Sequence, residues 1–449
     1  MTGRPARWLE ALRAQLWPVP TIAVVLAVVL GAVLPGFDAA VDGRMDPHVS
    51  VLLFSGGPEA AASVLQAIAG SLITVTSLTF SLTVVTLQLA SSQFSPRLLR
   101  TFTSDRIVHA TLALFLASFA FALTVLRSVR REDSARPPFV PEISVTVAFV
   151  LAIASVLGLV LFLAHLTREI RVETMMQRVV GETQSTVESV YPVDRHVQSA
   201  APQPGPGAVR IASSHSGFLV SVDRERLLRA ALDTGTVLQL DCMPGSFLVK
   251  GVPFATAWPL VPRERLAPQD REGLERSINA AVIAGGERTH VQDVAFGLRQ
   301  LVDVAVRALS PGINDPTTAV HIIGHLSVLL CQLADRSPGP AQVTDEADRI
   351  RVVIALPDLA DLLGLCLDQP RHYGASDPAV AERLLYLLQE FAWCDRQGAY
   401  SKDIHRHLAR LNDSFEALDW PPAQRQRLLD LAHDIRSAPP VLQPGDPAA

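Results

Sequence analysis

The chain has 449 residues, of which 49% are hydrophobic and 18% charged, and its mean hydropathy of +0.28 is high for a soluble protein. The formal net charge of -5 argues against a nucleic-acid-binding protein, which usually carries a basic patch or a high pI. All cysteines lie in the second half and form no Cys-x-x-Cys pair, so we expect reduced, mostly buried thiols rather than a metal or redox site. They are Cys242, Cys331, Cys366 and Cys394.

Four apolar runs predict a transmembrane domain over residues 1–166, because each is near the ~20 apolar residues that a helix needs to cross a bilayer. The predicted spans are about 18–36, 64–92, 107–126 and 143–166. A short basic leader precedes the first run, as in a cleaved signal peptide, but the run is long for a signal sequence and further spans follow. We therefore expect an uncleaved first span.

The distribution of arginines predicts the orientation of these spans. If both termini are inside the cell, nine arginines flank the spans on the cytoplasmic side and five lie in the outer loops. Since positively charged loops tend to stay in the cytoplasm, we expect a multi-pass protein of the cell inner membrane with cytoplasmic N- and C-termini.

The second run, from Ala60 to Gln93, has no charged residue and is rich in hydroxyl groups. On a helical period its polar side chains form two rows separated by apolar stripes. One row consists of Thr76, Thr79, Thr83 and Thr86. The other consists of Thr74, Ser77, Ser81 and Gln88. A helix that faces lipid on all sides would not carry two such rows, so they predict either a water-lined path or close packing between helices.

From residue 167 onward the pattern predicts a cytoplasmic α+β domain. Its expected parts are a connecting helix and linker (167–207), a small β-rich subdomain (208–262), a mainly helical domain (263–437) and a disordered tail (438–449). The expected strands are 209–213, 217–222, 236–241, 247–260 and 350–356, and helices are expected at 268–284, 289–309 and 316–333. The predicted fold class is thus an α-helical integral membrane protein with four transmembrane helices and a C-terminal cytoplasmic α+β domain.

Two blocks of the sequence carry a family resemblance. They are SLITVTSLTFSLTVVTLQLASSQFSPRLLRTFTSDR and, about 200 residues later, HVQDVAFGLRQLVDVAVRALSPGINDPTTA. Both resemble signatures of a bacterial family of predicted membrane proteins known as domain of unknown function 2254. Because the blocks occur in the same order and far apart, the resemblance covers most of the chain. It implies no activity, since the family has none assigned.

The second block places polar side chains on an otherwise apolar helix. They are His290, Gln292, Asp293, Arg299, Asp303 and Arg307. Asp303 and Arg307 have the i,i+4 spacing of a helical ion pair, which is typical of a solvated face with weak ion pairs. A buried ion-pair network and a subunit contact are the alternatives.

The loop SPGINDP joins two helices of the same block. Gly312 permits a positive φ at the end of the first helix, and Asn314 or Asp315 can cap the second. Pro316 suits the first helical position. In a second interpretation, the amides of this helix start, together with Thr317, bind an anion or a loop of another subunit. The loop residues of interest are Ser310, Asn314, Asp315 and Thr317.

His321 and His325 are spaced i,i+4, which suits a transition metal. No third ligand is identifiable, so they are weak candidates and we expect ordinary, partly buried histidines. The sequence contains no glycine-rich phosphate loop, no Gly-x-Ser-x-Gly elbow and no kinase motif set, and we expect no cofactor.

The predicted function is that of a homo-oligomeric channel or transport protein, in which the second span lines a hydrophilic path and the cytoplasmic domain assembles or gates it. The expected partners are the lipid bilayer, further copies of the chain and an ion or small solute, with no nucleic acid. One alternative is a membrane-anchored enzyme whose site includes His290, Asp293, Asn314 and Asp315. Another is a membrane-bound sensor or scaffold.

Overall fold

A computed structural model of the protein describes residues 17–41, 53–93, 105–130, 139–169, 172–191, 202–205, 207–261, 267–336, 338–396, 398–416, 418 and 420–437. The chain forms two compact units, Met1–Met175 and Met176–Ala449. The basic leader and the expected tail at 438–449 lie outside the described residues, and the finer division of the C-terminal region stays a prediction.

Four long helices make up most of the described part of the first unit. They are α1 (Pro18–Val41), α2 (Pro58–Gln93), α3 (Arg106–Leu126) and α4 (Glu142–Glu169). Helix α3 contacts the other three, and its Phe115, Phe121 and Val125 are completely buried. The described core of this unit is therefore built around α3.

Large apolar side chains cover the outer surface of α1 and α4. Seven of them are between 60% and 67% exposed: Ile22, Leu26, Val33, Val156, Leu157, Val160 and Leu161. A contiguous apolar surface of this kind is unfavourable in water and is typical of helices that face lipid. By length and composition, all four helices of the first unit are able to cross a membrane.

Hydrogen bonds between distant residues fix the helix ends of the first unit. The Asp38 carboxylate, 4% exposed, accepts from the Ile143 amide at 2.9 Å and from the Ser144 amide at 3.1 Å. It thereby satisfies two of the amides that the first turn of a helix leaves unpaired. The first span was expected to end at 36, but α1 continues to Val41 and brings Asp38 to α4.

The second unit is an α+β structure with two sheets. The five-stranded sheet has the order β1-β5-β3-β8-β7, and the three-stranded sheet has the order β4-β2-β6. The strands are β1 (Val209–Ala212), β2 (Gly217–Val222), β3 (Thr236–Leu240), β4 (Phe247–Leu248), β5 (Pro253–Pro259), β6 (Val282–Gly285), β7 (Ala341–Thr344) and β8 (Ile350–Ile354). Only the β3–β8 pair is parallel among these strands, and it brings the chain near residue 350 to the strands near residue 240.

Nine helices begin after residue 171 in the part of the chain that the structure describes. They are α5 (Val172–Val190), α6 (Arg224–Asp233), α7 (Pro268–Ala281), α8 (Val294–Ala308), α9 (Pro316–Ala334), α10 (Leu359–Gly374), α11 (Pro378–Cys394), α12 (Ser401–Glu416) and α13 (Pro422–Ser437). Helix α9 packs against α8, α10 and α11. It is also a fifth helix long and apolar enough to cross a membrane, so the described residues contain five candidate spans.

Several predicted boundaries in the second unit are wrong. The helix expected at 268–284 ends at Ala281, because the next residues pair with β2 as strand β6. The helix expected at 289–309 begins only at Val294, after the capping residue Asp293. The expected strand 247–260 is divided into β4 and β5, which belong to different sheets.

Candidate functional site on the second apolar helix

The two polar rows of α2 point in nearly opposite directions. With 100° of rotation per residue, the threonine row and the row containing Ser77, Ser81 and Gln88 lie roughly 170° apart around the helix axis. The structure gives the two rows different environments. The threonine row (Thr76, Thr79, Thr83 and Thr86) is buried, whereas Ser77, Ser81 and Gln88 are exposed on the surface of the protomer.

Each hydroxyl group of the threonine row is bonded within its own helix. Each threonine Oγ1 donates a hydrogen bond to the carbonyl oxygen of the residue four positions earlier. The distance is 2.6 Å for Thr76 and 2.8 Å for Thr79, Thr83 and Thr86. Because their donors are satisfied, these side chains can be buried in a helix bundle without a polar partner on another helix. This environment favours the close-packing interpretation of the row.

Helix α3, against which α2 packs, also carries buried polar side chains. Thr111 donates to the Ile107 carbonyl at 2.8 Å, and Ser118 lies 3.2 Å from the Ser155 hydroxyl of α4. The inside of the first unit is therefore a packed bundle with hydroxyl groups at several helix contacts.

The exposed row includes the fourth predicted residue, Thr74, and extends one turn further to Ser71. Ser71 and Thr74 are also exposed and lie on the same side of α2 by helical period. Thr74 donates to the Gly70 carbonyl at 3.0 Å. This set of uncharged polar residues, defined as the polar strip, consists of Ser71, Thr74, Ser77, Ser81 and Gln88 and extends over about five helical turns on the outside of the protomer. The exposed residues Val84 and Val85 interrupt it between Ser81 and Gln88.

In the second unit, Asp293 has a structural role. Its carboxylate caps α8 by accepting from the Phe296 amide at 3.0 Å, and it pairs with the Arg288 guanidinium at 2.7 Å. Burial raises the pKa of Asp293, while Arg288 opposes this shift. Gly245, at a φ of 88°, leaves the carboxylate room, since a Cβ there would lie 2.7 Å from the Asp293 Cγ.

Two neighbours of Asp293 hold other elements of the second unit in place. The Gln292 amide group accepts from the Val222 amide at 2.8 Å and donates to the Val222 carbonyl at 3.2 Å, so it extends the pairing of β2. The backbone carbonyl of His290 accepts a hydrogen bond from the Thr186 hydroxyl of α5 at 2.6 Å. The imidazole Nε2 of His290 lies 3.4 Å from the Glu182 carboxylate of the same helix.

The SPGINDP loop also has capping roles. Asp315 caps α9, accepting from the Thr318 amide at 3.1 Å and from the Thr318 hydroxyl at 2.5 Å, and Pro316 is the first residue of α9. These hydrogen bonds lower the pKa of Asp315. The positive φ lies at Asn314 (50°) and was wrongly expected at Gly312.

The residues of the proposed enzymatic site do not converge. His290 and Asp293 lie at the start of α8, whereas Asn314 and Asp315 follow its end. The 15 residues of α8 separate the two pairs by about 22 Å. The geometry therefore gives no support to a catalytic site made of these four residues.

The remaining motif residues lie along α8, in the loop that follows it, and in the first half of α9. Arg299, Asp303 and Arg307 are half-buried on α8, and Ser310 donates to the Arg307 carbonyl at 2.7 Å. Thr317 and His321 are exposed, and His325 is half-buried. Among the described residues, no group of three His, Cys, Asp or Glu side chains is placed to hold a metal ion.

Two polar contacts of the first unit escaped the sequence analysis. Asp38 lies beyond the predicted end of the first span at 36. The pair formed by His165 Nε2 and Asp105 Oδ2, 2.5 Å apart, joins residues 60 positions apart. An isolated ionisable residue at the end of an apolar run was the available signal. The partner of such a residue depends on helix packing, which periodicity does not reveal.

Comparison with known proteins identifies relatives of most of the chain. A family model described as predicted membrane protein (DUF2254) matches residues 13–390. An uncharacterized protein of Mycobacterium tuberculosis, Rv1290c, is 35% identical over 400 residues, which cover 87% of this chain and 74% of the relative. An uncharacterized protein of Mycobacterium bovis, Mb1321c, matches to the same extent. No solved structure matches.

Proposed function

The chain belongs to the family of predicted membrane proteins DUF2254, and on this premise we propose that it is a homo-oligomeric channel or transport protein. In this proposal several copies surround a central path, and α2 of each copy lines it. The observation that carries the proposal is the uncharged polar strip on the outside of α2.

Because the polar strip faces outward from the protomer and the threonine row faces inward, we infer that the strip lines the path. Hydroxyl and amide groups that face acyl chains lose their hydrogen bonds to water, which is costly in a bilayer. A ring of protomers removes this cost by turning Ser77, Ser81 and Gln88 toward one another and toward water. The threonine row needs no such partner, because its hydroxyl groups are bonded to their own helix.

The chemistry of the strip favours an ion or a small polar solute. Hydroxyl and amide oxygens replace part of the water around a permeating ion without burying a fixed charge in the membrane. We further propose that the protein lies in the inner membrane with four spans and cytoplasmic termini. The second unit would then lie in the cytoplasm and assemble or gate the path.

Flux through reconstituted protein tests this function. Purified protein is placed in liposomes, and potassium, sodium and chloride flux is followed with ion-selective dyes. Replacing both Ser77 and Ser81 by Leu should reduce the flux about tenfold or more, since the loss of about 1.4 kcal/mol of stabilisation along the path lowers the rate of passage tenfold. The matched control replaces Thr79 and Thr83 by Val, which should change the flux by roughly twofold at most.

Two results would contradict the proposal. Wild-type protein that conducts none of the three ions, and does not exchange small polar solutes across the liposome, would favour the sensor or scaffold alternative. A flux that falls in the threonine variant and persists in the serine variant would assign the path to the other face of α2.

A further inference from the structure

A cavity of about 520 Å³ lies between α10 and α12 in the second unit, with one residue of α8 at its wall. Cavities that bind small molecules usually have about 300–1,000 Å³. Among the motif residues of the second sequence block, Arg299 lines this cavity. The cavity is independent of the polar strip on α2 and of the function proposed for it.

Small residues on one face of α10 create the space. Ala360 and Gly364 are one helical turn apart and both line the cavity. A Cβ added at Gly364 would meet the Asp368 Oδ2 at 3.7 Å, an ordinary contact distance, so the glycine is not required by crowding. A large side chain at 364, in contrast, would extend into the cavity.

Positive groups outnumber negative groups on the wall. The guanidinium groups of Arg299, Arg406 and Arg410 come from two helices, and the carboxylates are those of Asp361 and Asp368. Arg410 pairs with Asp368 at 3.1 Å across the gap between α12 and α10. Arg406 in turn pairs with Asp403 at 2.7 Å. Guanidinium groups bind phosphate oxygens with two parallel hydrogen bonds, so a phosphate group at this wall would compete with Asp403 for Arg406 and with Asp368 for Arg410.

His407 provides a second, independent indication of a ligand. Its side chain is 2% exposed and lines the cavity, yet neither ring nitrogen has a hydrogen-bond partner in the described part of the chain. The Asp368 carboxylate is 3.9 Å from its Nδ1, which is too far for a hydrogen bond. Buried polar side chains are nearly always hydrogen-bonded, so the unpartnered ring indicates that a hydrogen-bonding group is missing at this wall. Both ring nitrogens are covered by protein atoms, so the ring has to turn before either of them can reach a group in the cavity.

We propose that this cavity binds a small molecule carrying a phosphate monoester, held by Arg299, Arg406 and Arg410 and bonded by His407 once its ring has turned toward the cavity. The carboxylates of Asp361 and Asp368 repel a bare anion but accept hydrogen bonds from hydroxyl or amino groups. They therefore favour a ligand in which the phosphate is attached to a hydroxyl-bearing or amino-bearing body, such as a nucleotide or a sugar phosphate.

Calorimetric titration of the full-length protein in detergent tests the proposal. The soluble probes are adenosine monophosphate and glucose 6-phosphate, with adenosine and glucose as uncharged counterparts. A short-chain phosphatidic acid is the third probe, and it distinguishes a lipid headgroup from a soluble phosphate. We expect at least one phosphorylated probe to bind and its uncharged counterpart to bind at least tenfold more weakly.

Substitutions locate the binding. The double variant Arg406→Gln, Arg410→Gln should weaken binding roughly tenfold or more, as expected from the loss of charge-assisted hydrogen bonds. Gly364→Met should also weaken binding by at least tenfold, because its side chain occupies part of the cavity. The matched control is Arg396→Gln, which removes a surface arginine that is 3.9 Å from Asp335 and outside the cavity, and it should leave the affinity unchanged.

The arginine double variant keeps the test decisive if Gly364→Met does not fold, because Arg406 and Arg410 are about half exposed. Circular dichroism and thermal unfolding verify the fold of each variant. Absence of binding by all three phosphorylated probes at millimolar concentration would overturn the proposal. Equal binding of wild type and the arginine double variant would do the same.

Discussion

Gly297 of α8 shows how one residue sets the distance between two helices. A Cβ at position 297 would lie 2.9 Å from the Cβ of Thr183 on α5 and 3.0 Å from its Cγ2. Thr183 is completely buried, so it has no free space into which to move. The glycine within the second sequence block therefore permits close packing of α8 on α5.

Replacing Gly297 by Ala should destabilise the protein by about 1–3 kcal/mol, since overpacking of a buried contact has a cost of that size. Thermal unfolding of the full chain in detergent, followed by circular dichroism, measures the effect. The control is Gly273→Ala on α7, where a Cβ meets nothing within 4 Å and the gain in helix propensity is about 1 kcal/mol. Equal melting temperatures for the two variants would contradict this explanation.

The charged cavity shows which features of single residues the sequence does not reveal. Arg299, Asp368 and His407 are ordinary polar residues of three separate helices, and only the packing of those helices brings them to one wall. The capping residues, in contrast, are local features. Asp315 was predictable because an Asp before a Pro is a recognised helix start, whereas the pairing of Asp293 with Arg288 was not.

The exposed strip on α2 predicts that copies of the chain contact one another through this helix, whether or not the protein transports a solute. If its exposed strip faces other copies, a cysteine introduced at position 81 in one protomer lies near the same position in a neighbour. Oxidation of membranes that contain Ser81→Cys should then give disulfide-linked oligomers, identified in mass spectrometry by two copies of the peptide around position 81 joined through the new thiol. Thr83→Cys, on the buried side of the same helix, should give none.

Crosslinking of both variants to the same extent would indicate non-specific collision. Disulfides of the four native cysteines can be told apart from the introduced one, because all four lie at residue 242 or later and therefore occur in different peptides. Crosslinking of neither variant, with both introduced thiols shown to react with a maleimide after solubilisation, would count against a ring in which α2 faces its own copies.

At the level of helices and strands, the sequence predicted the long regular elements well. The four apolar runs correspond to α1–α4, because a run of about 20 apolar residues has few other stable conformations. Both polar rows of α2 follow from its helical period. Which row is buried depends on the position of α3, and short strands such as β6 and β7 depend on pairing with distant strands.

For the molecule as a whole, the number of membrane spans is four or five, depending on whether α9 crosses the membrane. Helix α9 is apolar enough to cross a membrane, but it packs against α8, α10 and α11, which carry many charged residues. A lipid environment would be unfavourable for those neighbours. We therefore expect α9 to be a core helix of the second unit and the protein to have four spans.

Reporters fused to the two ends of the full chain test this expectation. Four spans place both termini on the same side, whereas five place them on opposite sides. A fluorescent protein that matures only in the cytoplasm should be bright at either terminus, and periplasmic alkaline phosphatase should be inactive at both. A bright N-terminal fusion together with an active C-terminal phosphatase would demonstrate a fifth span.

The contact of Asp38 with α4 has a consequence for biosynthesis. Its carboxylate bonds the Ile143 amide across a separation of 105 residues, so α1 leaves the ribosome long before its partner is made. Until then the carboxylate needs water or another donor, and the start of α4 has unpaired amides whenever α1 is missing. When α4 packs against α1, the hydrogen bonds of the Asp38 carboxylate and of the first amides of α4 are satisfied together. A chain that lacks α1 would keep these amides unpaired, and membrane proteases should recognise it as incompletely assembled.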